Sequence, residues 1–203
     1  MSAKRQNRDF RLSLEKVEAG AIRKNLLLAS LYITIFEALR NAIVEDVHSF
    51  FVIDPSMLAE EASSHHAWQS ECYEREIGIK PDLRESRGLI GSCRWLQKME
   101  VIGDQEVTDV GQARKHRNDI AHKLPYVLIQ EGFDVDLRLM SRMVEILEKV
   151  DAFWIRMDLE TGAYDVNGRE VKDWDKLEVY SSRVLLLKHF VKSVFNIAAR
   201  RLS

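Results

Sequence analysis

The sequence has few of the residues that break helices or cross-link small folds. Its 203 residues include only three prolines and nine glycines, which favours long helices over a fold rich in turns. Its two cysteines, Cys72 and Cys93, are too few for a disulfide framework, and neither has zinc-finger spacing to a histidine. We therefore expect reduced thiols, no metal and no cofactor.

A strong charge of one sign is also missing. The formal net charge is −2 at pH 7, so the chain as a whole is not a basic nucleic-acid binder, and any RNA site must be a local patch. Residues 1–11 lack the apolar run of a signal peptide. The charge-free run 25–36 has 12 residues, fewer than the roughly 20 that cross a membrane. We expect a cytoplasmic, globular protein with no membrane segment.

Hydrophobic periodicity predicts an all-α fold. The first predicted helix carries two neighbouring apolar stripes at spacings of three and four residues, which is typical of a central bundle helix or of one shared with a dimer partner. The predicted helices are 21–51, a less regular one from Asp54 and Pro55 to about 77, 82–99, 109–123, 134–157 and 180–202.

The chain divides into three parts on this pattern. Residues 1–20 are predicted to be a flexible N-terminal arm, and 21–157 a helical bundle. Residues 158–203 are predicted to hold a loop or hairpin and a C-terminal helix that packs on the bundle. Asn-Gly near the middle of 163–172 is a type I′ turn signal, so a small β-hairpin and a plain surface loop fit this segment equally.

The most informative stretch is the basic helix that precedes Pro125. Thr108 is a fair N-cap and Asp109 suits the first turn, whereas Pro125 ends the helix because it cannot donate to the helical ladder. Tyr126 to Phe133 would then be a connection, and an extended one fits. Arg117 falls on the apolar stripe, where a guanidinium needs a partner or a polar pocket.

A second line on this helix carries Arg114, Asn118 and His122 at spacings of four residues. Arg117 and His122 lie about 140° apart on an ideal helix, so one copy alone would not bring both onto one atom. Both could border a shared groove, or two copies of the helix could bring them together across a symmetric interface.

These residue types supply a metal-free means of cleaving RNA, in which the 2′-hydroxyl attacks its own phosphate. His122 could act as general acid or base, Arg117 could hold the phosphate, and Asn118 could position a hydroxyl or a phosphate oxygen. A purely structural explanation fits the same residues, with Arg117 paired to a carboxylate and His122 capping the helix. Glu37, which interrupts an apolar run in the first helix, could partner Arg117 or orient His122.

The hexapeptide Arg117-Asn118-Asp119-Ile120-Ala121-His122 resembles the signature of the HEPN superfamily (higher eukaryotes and prokaryotes nucleotide-binding). In that signature an Arg, often followed by a polar residue, precedes a His with four to six residues between them, and here there are four. The resemblance covers about 21–157. It implies a four-helix up-and-down bundle, usually a dimer with the motifs at its interface. Many such proteins are metal-independent endoribonucleases, in toxins or in phage defence.

The resemblance makes Arg117, Asn118 and His122 the expected catalytic residues, with Glu37 and Arg114 in support. The expected partners are RNA as substrate, a second copy of the chain, and an antitoxin protein. HEPN toxins regulated by a nucleotidyltransferase antitoxin often have a modified Tyr two residues before the His. This chain has Ile there, so that regulation does not carry over.

Two other functions fit the same sequence. One is a non-catalytic HEPN-like helical dimer that binds a nucleotide, RNA or a protein, because binding and cleavage would use the same side chains. The other is an all-α scaffold in which the motif is accidental.

Overall fold

The structure, a computed structural model, describes residues 18–52, 75–77, 85–129, 134–162 and 180–199. Over these ranges the fold is all-α, as the periodicity predicts, and no strand is present in them. The helices are α1 (Ala19–Val52), α2 (Glu85–Lys98), α3 (Asp104–His122), α4 (Leu124–Ile129), α5 (Leu137–Glu160) and α6 (Ser182–Ala199).

Several predicted features lie outside the described residues. They are the N-terminal arm up to residue 17, nearly all of the helix predicted from Asp54, and the hairpin or loop at 163–172.

Helix α1 is the centre of the bundle and packs against each of the other five helices. One of its two predicted stripes is buried along its whole length, and half of the residues of the other are buried as well. The wide apolar face therefore follows from its central position within one chain and does not by itself require a dimer partner. The most deeply buried side chains of α1 are Tyr32, Ile35, Leu39, Ala42, Ile43 and Val47.

Helix α1 is also the one described helix whose length and apolar character would allow it to cross a membrane. Residues 19–51 have a mean hydropathy of 1.5 in their most apolar window, and half of that window is buried inside the fold. Buried core helices commonly pass the same test.

Helices α3 and α5 pack antiparallel. Contacts between them run in opposite order along the two helices. With α1 and α2 they form the four-helix core, and α6 packs on α1 and α5. The polar contacts between α3 and α5 are Lys149 Nζ to Glu106 Oε1 (2.6 Å), Arg142 Nε to Asp109 Oδ2 (3.2 Å), and the Asp136 backbone N–H to His116 Nε2 (3.1 Å).

Helix α3 begins five residues earlier than predicted. Its N-cap is Gly103, and the carboxylate of Glu106 accepts a hydrogen bond from the Gly103 N–H at 2.8 Å. Thr108 is not the cap, because its hydroxyl donates to the Asp104 carbonyl inside the helix at 3.0 Å. The prediction of a Thr108 cap was wrong because the capping oxygen comes from the third helical residue, reaching back to the chain that enters the helix.

Pro125 ends α3, but the expected extended connection after it was wrong at its start. Residues 124–129 form the short helix α4, since the fixed φ of proline suits the first turn of a helix. The N–H groups of Tyr126 and Val127 both donate to the Lys123 carbonyl, at 2.8 and 3.1 Å. The buried Val127 fastens this turn to the core.

An aromatic cluster joins the ends of α1, α2 and α5. Trp95 and Trp154 stack with ring centroids 6.1 Å apart and planes 9° from parallel, and Phe50 lies against both. Thirteen residues of α1 separate Phe50 from Glu37, about 20 Å along the helix axis. The cluster therefore holds three helices at the end of the bundle opposite the motif.

Candidate functional site

Side chains of α1, α2 and α3 line a pocket beside the motif helix. Its volume is about 80 Å³, which is enough for several waters. Four of the predicted site residues line it, and so does Arg40, which the sequence did not single out. His122 is not part of its lining. The polar lining residues are Glu37, Arg40, Arg114, Arg117 and Asn118, and the apolar ones are Phe36 and Leu89.

Arg117 is held in this pocket by an ion pair with Glu37 of α1. Its Nη2 lies 2.5 Å from Glu37 Oε1, and Nη1 donates to Asn118 Oδ1 at 3.2 Å. The guanidinium also lies over the Phe36 ring, 5.9 Å from its centroid, within the range of a cation–π contact. Arg117 Nε is buried without a hydrogen-bond partner in the described part of the chain. Arg117 thus has the partner that its place on the apolar stripe requires.

The position of Arg117 follows from the face that α3 buries. Val110, Ala113 and Ile120 are buried on this face, and Arg117 shares it one turn before Ile120. The side chain remains about one-third exposed, as does that of Glu37, so the pair lies at the margin of the core and not within it. A ligand can therefore reach both groups from solvent.

His122 is the last residue of α3 and is exposed. It lies one helical turn beyond Asn118, about 6 Å along the helix axis. Lys123, not His122, caps the helix, because its backbone N–H donates to the Asp119 carbonyl at 2.9 Å. The purely structural explanation fits Arg117, which is in an ion pair, and His122 is the basic residue of the last turn of α3, beside the negative end of the helix dipole. One chain places the two motif residues on different sides of α3.

His116 is a residue whose role the sequence did not show. Its Nε2 accepts a hydrogen bond from the Asp136 backbone N–H, and its ring meets Tyr32 edge-on with centroids 4.9 Å apart. Burial lowers the pKa of His116, although Asp136 and Asp119 act in the opposite direction. At neutral pH it is therefore an uncharged link between α3 and the start of α5, and it adds nothing to the positive charge of the motif helix.

The His116 link predicts a pH-dependent stability. Its lowered pKa means that the unfolded chain takes up this proton at a higher pH than the folded chain. The stabilisation is therefore present above about pH 6.5 and is lost as the pH falls through the folded-state value. We expect His116→Gln to cost roughly 1 kcal/mol of unfolding free energy at pH 7.5 and clearly less at pH 5.5.

Urea unfolding at the two pH values measures this difference, with His189→Gln as control because His189 is exposed on α6. The same loss of stability at both pH values in the His116 variant would contradict a titrating link.

Other reactive groups in the described residues are of a structural kind. Burial raises the pKa of the Cys93 thiol to about 12, so it remains protonated and is no nucleophile. Cys72 lies outside the described residues. In the described ranges no three His, Cys, Asp or Glu side chains are grouped as metal ligands.

Comparison of the chain with protein-family models, with curated proteins and with solved structures gives no match. The resemblance to HEPN proteins therefore depends on the Arg117-Asn118 and His122 positions themselves. What the structure adds is the pocket that surrounds the arginine.

Proposed function

We propose that this protein is a metal-independent endoribonuclease of the HEPN type, a cytoplasmic homodimer that acts as a toxin or in phage defence. One observation is the main support for this proposal. Three residues of the motif helix, Arg114, Arg117 and Asn118, meet in a solvent-accessible pocket. The exposed imidazole of His122 lies on the same helix, one turn closer to its C-terminus.

The proposed reaction is attack of a ribose 2′-hydroxyl on the neighbouring phosphorus. His122 takes the proton from the 2′-hydroxyl, or gives a proton to the departing 5′-oxygen. Arg117 neutralises the charge that builds on the phosphoryl oxygens, through its two-pronged guanidinium. Asn118 positions the same group. The new bond is between the 2′-oxygen and phosphorus and the broken one is between phosphorus and the 5′-oxygen, which leaves a 2′,3′-cyclic phosphate and a 5′-hydroxyl.

Glu37 and Arg114 have supporting roles in this proposal. The ion pair with Glu37 fixes the direction of the Arg117 side chain, which reduces the entropy lost when a phosphate binds. Arg114 adds a second guanidinium at the same pocket. An RNA phosphate would compete with the Glu37 carboxylate for Arg117, and the partly exposed position of the pair allows that exchange.

A homodimer would complete the site. Arg117 turns toward α1, whereas His122 is exposed at the end of α3. A two-fold axis near this end of the helix would place His122 of one copy beside Arg117 of the other. An antitoxin that covers this surface would block RNA from both sites.

The second candidate is a non-catalytic helical dimer that binds a nucleotide, RNA or a protein at the same pocket. The observation in its favour is that Arg117 is already engaged by Glu37, while the motif imidazole of His122 lies outside the pocket lining. Binding would then displace the ion pair without any bond being cleaved.

An RNA-cleavage assay in EDTA, with analysis of the product ends, tests the proposal. We expect cleavage that survives the chelator and leaves 2′,3′-cyclic phosphate and 5′-hydroxyl ends. RNA that is bound but left intact by the folded protein would favour the binding dimer. Cleavage that stops in EDTA, or that leaves 5′-phosphate ends, would contradict this mechanism.

A further inference from the structure

Helix α6 has large apolar side chains on its outer face. Leu185 and Leu186 are 54% and 53% exposed, more than any other large apolar side chain in the described ranges, and Phe190 is 44% exposed. At 100° per residue these three side chains span about 140° of the helix, on the side opposite the buried Val184 and Leu187. They are therefore turned away from α1 and α5, on which α6 packs. An exposed apolar patch of this kind commonly marks a surface that meets a partner.

The same part of the chain carries charge of one sign only. Residues 180–203 contain five of the 30 Lys and Arg residues and none of the 32 Asp and Glu residues, although the whole chain has a net charge of −2. Arg183 and Lys188 are paired with carboxylates of α1 and α5. Lys192 is exposed, has no carboxylate partner among the described residues, and lies about 20° from Leu185 around the helix. The outer face of α6 is therefore apolar with a cation at its edge, and α6 itself has no carboxylate that would repel an anion.

Charge and shape decide which partner fits the outer face of α6. Two copies that packed α6 against α6 would bring two cationic edges together, with no carboxylate on either helix to offset them. RNA is bound through base stacking and phosphate contacts, and leucine side chains provide neither. A partner helix needs a groove to lie in, whereas this is the convex face of a helix on the outside of the bundle. The boundary between headgroups and acyl chains of an anionic bilayer accepts a convex helix face that presents both apolar side chains and lysine.

We propose that the outer face of α6 docks on an anionic lipid surface. Leu185, Leu186 and Phe190 enter the boundary between headgroups and acyl chains, and Lys192 contacts the anionic headgroups. The contact is peripheral, with α6 lying in the plane of the interface and the bundle remaining in water. The cytoplasmic leaflet carries anionic lipids, so the contact is compatible with a cytoplasmic protein. It involves neither Arg117 nor His122 and does not rest on the proposed ribonuclease activity.

Co-sedimentation of the full chain with lipid vesicles, in the absence of RNA, tests this contact. One set of vesicles is pure phosphatidylcholine, and the other is an equal mixture of phosphatidylcholine and phosphatidylserine. We expect the mixed vesicles to bind the protein roughly tenfold more tightly than the neutral ones, and added salt to weaken that binding because it screens the surface charge. Equal binding to both kinds of vesicle, or binding to neither, would overturn the proposal.

Substitutions then assign the contact to α6. Leu186→Ser and Phe190→Ser should each weaken vesicle binding by roughly fivefold, because each removes apolar area from the buried face. Lys192→Glu should abolish most of the preference for the mixed vesicles. The matched controls are Met99→Ser and Lys98→Glu, because both residues are exposed at the end of α2, which packs on α1 and α3. Vesicle binding that is unchanged in all three α6 variants would place the lipid contact elsewhere and contradict the assignment.

Sedimentation equilibrium without lipid tests whether a second copy covers this face instead. The homodimer proposed above uses the end of α3, so its assembly should be the same in wild type and in Phe190→Ser. A mass that rises with concentration for the wild type but not for Phe190→Ser would show that copies of the chain meet through α6, and it would contradict the lipid contact.

Discussion

Alanine at His122 is expected to lower the rate of RNA cleavage by roughly 10²- to 10⁴-fold, which is the usual contribution of a general acid or base. Alanine at Arg117 should lower it by about 10²- to 10³-fold, because one preorganised donor to a developing oxyanion is lost. Neither substitution should unfold the protein. His122 is exposed, and Glu37, the partner of Arg117, is about one-third exposed and can be solvated by water.

Cleavage rates and thermal unfolding of the two variants are to be compared with those of His189→Ala and Arg156→Ala. Both control residues are exposed and lie on other helices, α6 and α5. The controls should cleave at the wild-type rate. Undiminished cleavage in both motif variants would rule out the proposed roles, whatever the activity of the wild-type protein.

A mixture of the two inactive variants distinguishes a shared site from two separate ones. If each site takes Arg117 from one copy and His122 from the other, a mixed dimer contains one intact site and one doubly damaged site. Half of the dimers in an equal mixture are mixed, so about a quarter of wild-type activity should return. If both residues act within one chain, each mixed dimer has two damaged sites and no activity returns.

The hydrophobic pattern was sufficient to predict the helices, because a helix that buries one face has apolar residues at spacings of three and four along the sequence. Helix α1 was predicted at 21–51 and spans Ala19–Val52. Helix starts were predicted less accurately, because the hydrophobic pattern does not show which residue supplies the capping group. The Gly103 cap needs Glu106 to reach back. The start of α5 was predicted at Asp134, but Asp136 is the cap and accepts from the Leu139 N–H at 2.9 Å.

The candidate site was likewise predicted only in part from the sequence. Arg117 was noticeable because a charge on an apolar stripe needs a polar neighbour, and Glu37 at 2.5 Å is that neighbour. Arg40 interrupts the apolar stripe of α1 in the same way, so this rule could have added it to the site. His116 could not be found from the sequence, since its lowered pKa depends on how α5 begins against it. Such contacts between distant segments leave no periodic signal.

Asp151→Ala is expected to destabilise the protein strongly, because it removes the centre of a buried polar network. The Asp151 carboxylate is almost fully buried between α5 and α6, where it pairs with Arg183 Nη2 and accepts from Arg183 Nε at 3.2 Å. Ser181, which caps α6, donates to the same carboxylate, and Arg183 also reaches Asp46 of α1 at 3.2 Å. Removing Asp151 leaves the Arg183 guanidinium with the single contact to Asp46 and leaves the Ser181 hydroxyl without its acceptor.

The expected loss for Asp151→Ala is about 3 to 5 kcal/mol of unfolding free energy, measured by urea titration, with α6 loosened first. Arg183 is about one-third exposed, so water can solvate its freed guanidinium and the loss should fall at the lower end of that range. The matched control is Glu148→Ala, which breaks the exposed ion pair of Glu148 with Lys188 Nζ, 2.7 Å apart, between the same two helices. It should cost less than about 1 kcal/mol.

The double variant Asp151→Leu with Arg183→Met separates two contributions to the unfolding free energy. One is the cost of removing a carboxylate from the buried Arg183 network, and the other is the net stabilisation that the Asp151–Arg183 pair provides. Two apolar side chains of similar volume need no partner and bury well between α5 and α6, so this variant should be more stable than Asp151→Ala. If Asp151→Ala instead costs no more than Glu148→Ala, the buried carboxylate contributes little, and α6 must be held to the bundle mainly by the buried Val184 and Leu187.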